Sequence, residues 1–247
     1  MSTLTHPPAP AMTSPDVMRR TSLAAGILYL LTFVSVPTLA IFQPVRERAG
    51  FILGAGSDSG VLWGAFSEVV VALAGIGTAV VLYPVAKRVS ETAALGFVTA
   101  RVLEGALIIS GVVSVLSVLT LRNDVAGTPG ADEASLLTAG HTLAATYEWT
   151  FLLSQSLMPA FNALFLGFVM YRSGLVPRIL PLLGLIGAPL LLAADTAIFF
   201  GVFDRTGPIA LAALPIAVWE FSLGVYLTVK GFRPAAVAAL ASARSPR

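Results

Sequence analysis

The stretch ALGFVTARVLEGALIISGVVSVLSVLTL, from Ala94 to Leu121, holds two charged residues, Arg101 and Glu104, and no proline. At 1.5 Å of rise per residue, about 20 apolar residues in a helix cross a hydrocarbon layer ~30 Å thick. This run is longer than that. It is continuous rather than alternating with period two, so it reads as a helix and not as a barrel strand. Comparable runs extend from about Thr21 to Phe42, Ser59 to Pro84, Gly140 to Tyr171, Arg178 to Gly201 and Pro208 to Lys230. The expected fold is all-α, an integral membrane bundle of about six transmembrane helices. Composition agrees: 56% of the 247 residues are hydrophobic and 11% are charged, against roughly a quarter charged in a soluble domain.

The flanks are of a different kind. Residues 1–18 carry Pro7, Pro8, Pro10 and Pro15 among small polar residues, a composition that buries too little surface to fold alone, so they read as a disordered cytoplasmic tail. Arg19 and Arg20 then precede an apolar run longer than the 7 to 15 residues of a cleaved leader, which makes it a retained first helix. The membrane domain is expected over residues 19–231, with a cytoplasmic tail at 232–247. Between the runs, residues 122–138 form the longest polar connection and read as an exposed loop.

Orientation follows from basic residues on alternate sides. Arg19, Arg20, Lys87, Arg88, Arg172, Arg178, Lys230, Arg233, Arg244 and Arg247 fall on one side, and only Arg46, Arg48, Arg122 and Arg205 on the other. The positive-inside rule places the richer side, and with it both termini, in the cytoplasm. The calculated pI near 9.2 comes with a net charge of only +2, spread along helix flanks, so no nucleic-acid partner is expected. The expected partner is the lipid bilayer.

Four phrases carry a resemblance: AGILYLLTFVSVP from Ala25, EVVVALAGIGTAVVLYPV from Glu68, RVLEGALIISGVVSVLSVLTLR from Arg101 and LLAADTAIFFG from Leu191. In this order they resemble a bacterial membrane family catalogued as domain of unknown function 4386, over roughly Arg20 to Arg233. The resemblance implies a multi-pass protein of the bacterial inner membrane and carries no activity to any residue.

Function must therefore be read from charges placed in the wrong solvent. Glu68, Arg101, Glu104, Glu148, Asp195 and Glu220 all fall inside predicted spans, where such residues face the bundle interior or water. Small residues share their faces: Gly64, Ala65, Ala72, Gly75 and Ala79 around Glu68, and Ala213, Ala217 and Gly224 around Glu220. Arg101 and Glu104 are three apart and can pair on one face. An acid on a neighbouring helix, such as Glu68, is the alternative partner. The other acids face no second buried Arg or Lys, and so need a proton, water or a cation.

The fourth span adds a pattern. His141, Glu148, Gln155 and Asn162 recur every seven residues, a step that drifts about 20° around an α-helix, so they are expected to form one polar stripe. That stripe would line a cavity entered from the outer side, with Glu148 as its main acid. Pro159 frees the carbonyl of Gln155 on the same side, and Pro37, Pro189 and Pro215 interrupt other spans. Trp219, beside Glu220, reads as lipid contact, with a cationic ligand as the alternative. The candidate ligand-binding residues are thus Glu68, Arg101, Glu104, His141, Glu148, Gln155, Asn162, Asp195 and Glu220.

Three function classes remain. The first is binding or transport of a proton, a cation or a small cationic amphiphile through the buried carboxylates. The second is a structural or assembly protein whose charges specify helix packing, and the third is an enzyme using a carboxylate acid/base pair. No zinc-protease His-Glu-x-x-His, phosphate-binding loop or cysteine nucleophile is present, and the only histidines are His6 and His141. No cofactor or metal site is expected.

Overall fold

A computed structural model describes residues 14–47, 49–54, 56–125, 128–205 and 207–242. Among them there is no strand. Six helices are long and apolar enough to cross a membrane: α1 (Pro15–Ile41), α2 (Asp58–Ala86), α3 (Glu91–Asp124), α4 (Glu133–Ser173), α5 (Ile179–Phe199) and α6 (Pro208–Val229). A short seventh helix, α7 (Pro234–Ser242), follows. Residues 1–13 of the expected amino-terminal tail lie outside the described residues; its last residues, from Pro15, already belong to α1.

Polar side chains set the helix starts. Ser14, Ser57, Ser90 and Asp132 each accept a backbone N–H from the first turn of the helix that follows, which satisfies one of the orphan donors there. At Asp132, outside the spans, the Ser135 hydroxyl and the Ala134 N–H hold the carboxyl below its ordinary range. Gly174, at φ 64°, closes the far end of α4 in the left-handed conformation that glycine adopts without strain.

Each span packs on the next, and α6 closes on α1, so the six form a ring in chain order. The α1–α6 seam depends on Gly26: a Cβ there would lie 2.6 Å from the Thr228 backbone nitrogen and 2.8 Å from the Gly224 carbonyl. Two large apolar clusters fill most of the ring, with a small third one at Ala86, Ala93, Ala94 and Val169. One contains Tyr29, Leu82, Phe97, Leu166, Trp219 and Leu223; the other contains Phe42, Phe51, Val71, Ile108, Val115 and Tyr147. Arg101 and Glu104 come between Phe97 of the first cluster and Ile108 of the second.

Trp219 corrects an expectation. It is buried, not lipid-facing, and its indole lies against Gly184, where a Cβ would be 2.9 Å away. The alanine-rich segment after Gly231 is helical, with Ala236, Val237 and Leu240 packed on the first cluster.

Candidate functional site

Arg101 organises the middle of the ring. Its side chain is 2% exposed, and its guanidinium donates to Glu104 Oε2 at 2.9 Å and to Glu220 Oε1 at 2.6 Å. It lies 5.2 Å from the Tyr29 ring centroid and 5.8 Å from that of Phe97, with Gly75 leaving room beside it. Asn162 Nδ2 donates to Glu104 Oε2 at 2.6 Å. One arginine therefore ties α3 to α6 across the ring and, through Glu104, to α4. The local partner at three residues is as expected, but the second is Glu220, not Glu68.

Glu68, on α2, has a different environment. Its Oε1 accepts from Tyr147 at 2.8 Å, and from Thr38 and Gln155 at 3.3 Å each. Its Oε2 is buried with no partner among the described residues. No Lys or Arg pairs with it there.

The fourth span departs from the expected stripe. Residues Leu152–Leu157 wind as a π-helix, whose i→i+5 bonds add one residue to the turn. Eight residues, not seven, then separate positions on one face. Tyr147 accordingly shares a face with Gln155, and both reach Glu68. Glu148 is rotated away and pairs with Arg46 Nε and with Arg205 at 3.1 Å. His141 is exposed and outside the polar core. Of the stripe, Gln155 and Asn162 enter the core, while Glu148 has two arginine partners from the connecting segments. Neither of those partners was legible as such in a sequence that ranked them only as loop charges.

Proline geometry opens a space beside the core. Pro37 cannot donate to the Phe33 carbonyl four residues back, and the Val36 N–H bonds it instead at 3.2 Å, which tightens Thr32–Ser35 into a 3₁₀ turn. The same exchange occurs in α6, where Pro215 leaves the Leu211 carbonyl to the N–H of Leu214 and a 3₁₀ segment precedes it. Pro189, by contrast, sits inside a helix that continues through it. The two 3₁₀ segments and Pro159 of α4 border one cavity of about 150 Å³. Its polar lining includes Arg101, Glu104, Gln155 and Glu220, and its apolar lining includes Phe33, Val36, Val71, Leu191 and Ile216.

The family described as Domain of unknown function (DUF4386) matches residues 24–231, nearly the whole of the ring. The chain belongs to the DUF4386 family. No curated protein and no solved structure matches it.

In this DUF4386 protein Arg101, Glu104, Gln155 and Glu220 thus line one cavity, with Asn162 bonded to Glu104 and Glu68 bonded to Gln155 behind it. Asp195 stands apart, with its Oδ1 accepting from Ser156 at 2.7 Å. Three of the six charges sought in the spans, Glu104, Glu148 and Glu220, prove to have arginine partners. Thr38 and Ser156 give no signal in the sequence because a Ser or Thr hydroxyl in an apolar run usually bonds its own helix; nothing in the sequence tells which way Tyr147 turns its hydroxyl. Among the described residues no group of three or more His, Asp or Glu is arranged to hold a metal ion.

Proposed function

We propose that this multi-pass membrane protein binds a small organic cation, or the cationic head of an amphiphile, in the cavity between α1 and α6. The observation that carries the reading is the floor of that cavity. Two carboxylates, Glu104 and Glu220, share one guanidinium, and Glu220 is still 13% exposed on its side chain. With both acids ionised the floor has one negative charge in excess. Apolar walls exclude water and strengthen its attraction for a cation. The volume is that of about five waters. The 3₁₀ segments on α1 and α6, with the π turn of α4 nearby, are the kind of irregular backbone found at membrane depth where it lines a cavity.

The cellular setting proposed with this function is a bacterial inner membrane with both termini in the cytoplasm, supported by the excess of Lys and Arg on that side. A packing role is the second reading, favoured by the two acids from different helices that Arg101 holds. The two separate in one measurement. Purified protein in lipid nanodiscs should bind radiolabelled hexyltrimethylammonium, and Glu220→Gln should weaken that binding about tenfold or more, roughly 1.4 kcal/mol, while leaving the protein monodisperse. Loss of folded protein with unchanged affinity in the surviving fraction would favour packing.

A further inference from the structure

Away from the central cavity, a second pocket of about 250 Å³ lies between α4 and α5, lined by Leu152, Leu153, Leu157, Asp195, Phe199 and Phe200, with Thr196 at its side. It shares no residue with the first. Three of its lining residues belong to the π turn, where the helix widens. Phe199 and Phe200 are 52% and 75% exposed, so the pocket meets the bilayer.

Its one charged residue is Asp195, only 3% exposed. Oδ1 accepts the Ser156 hydroxyl, and Oδ2 is buried with no partner among the described residues. The charge of Arg205 acts on this carboxyl, but Arg205 itself is held by Glu148. A buried acid with one bare oxygen has an unmet need for a proton donor or a cation. Here that oxygen belongs to a residue lining an apolar pocket that lipid-soluble molecules reach from the side.

We propose that this pocket is a second binding site, for a single-chain amphiphile with a primary ammonium head. The ammonium donates to Asp195 Oδ2, and the chain lies along Leu153, Leu157 and Phe199 into the bilayer. A primary ammonium suits the site better than a quaternary one because it brings N–H donors as well as charge. A neutral alcohol brings one donor and no charge.

Photolabelling tests this. Hexadecylamine carrying a diazirine near its nitrogen is added to the full chain in nanodiscs, illuminated, and its adducts mapped by mass spectrometry. Adducts are expected within residues 152–157 and 196–200, and excess unlabelled hexadecylamine should compete for them. Asp195→Asn should lower them about tenfold, a difference typical of a lost charge-assisted bond, and Glu220→Gln should not change them. Leu153→Trp narrows the pocket without touching the acid and should give the same loss if Asp195→Asn folds poorly. Equal labelling by the matching diazirine alcohol, or labelling untouched by both pocket variants, overturns the proposal. Either result leaves the central cavity's hexyltrimethylammonium binding unaffected, so the two sites fail independently.

Discussion

Replacing Arg101 with Leu would leave the buried Glu104 and the largely buried Glu220 without their shared cation. Breaking a buried pair by removing one partner typically costs about 3 to 5 kcal/mol, because the remaining charge is uncompensated. The expected result is a large loss of thermal stability for Arg101→Leu, measured by temperature-dependent aggregation of the purified protein. Adding Glu104→Gln and Glu220→Gln to the same chain should recover part of that loss, since neutral amides need no counter-ion. Strict additivity of the three changes would show that they do not interact. Arg101 cannot be replaced by Lys on equal terms either, because the two acids lie at separate prongs of a planar fork.

At the scale of elements, the seam between α1 and α6 at Gly26 is set by backbone as well as by the Thr228 hydroxyl, and the backbone cannot turn aside. Alanine in place of Gly26 gains roughly 1 kcal/mol of helix propensity. Its methyl group would stand 2.6 Å from Thr228 nitrogen and 2.8 Å from Gly224 oxygen, and overpacking of that kind costs about 1 to 3 kcal/mol. Because backbone cannot rotate away, the cost should win, and Gly26→Ala should lower the unfolding temperature. Gly60→Ala is the control. Its nearest outside atom would be Ile41 Cγ2 at 3.9 Å, so the propensity gain should appear alone as a neutral or slightly stabilising change. If both variants behave alike, close approach at Gly26 is not what holds the seam.

For the whole molecule, the described basic residues other than Arg101 segregate between the two ends of the ring. Arg46 and Arg205 meet at Glu148, and Arg122 pairs with Asp58 at the same end. Arg19 bonds the Leu227 and Thr228 carbonyls at the other, the end that also has Lys87 and Arg172. A fused periplasm-active phosphatase should therefore be inactive after Lys87 and active after Gly130, and a cytoplasmic fluorescent reporter should work after Arg233. Phosphatase activity after Lys87 would invert the arrangement. The polar core is indifferent to that outcome, since Arg101, Glu104 and Glu220 lie between the two large apolar clusters rather than at either end.

The sequence by itself determined the class of fold, the number of spans and the family resemblance, because hydrophobic length is a local property that a bilayer reads directly. It also located Arg101 with Glu104, since three residues on a helix fix their own distance. What it could not reach were contacts between helices. That Arg101 also holds Glu220 follows from a ring that places α3 opposite α6, and nothing within either helix encodes that placement. The π turn at Leu152–Leu157 shows the limit most sharply. A seven-residue spacing predicts one face only if the helix winds uniformly, and one added residue moved Glu148 to Arg46 and Arg205 and brought Tyr147 to Glu68 in its place. Prolines 37 and 215 were visible as interruptions. Only the tertiary structure decided that their two 3₁₀ segments border the same cavity, because packing alone brings the first span beside the last.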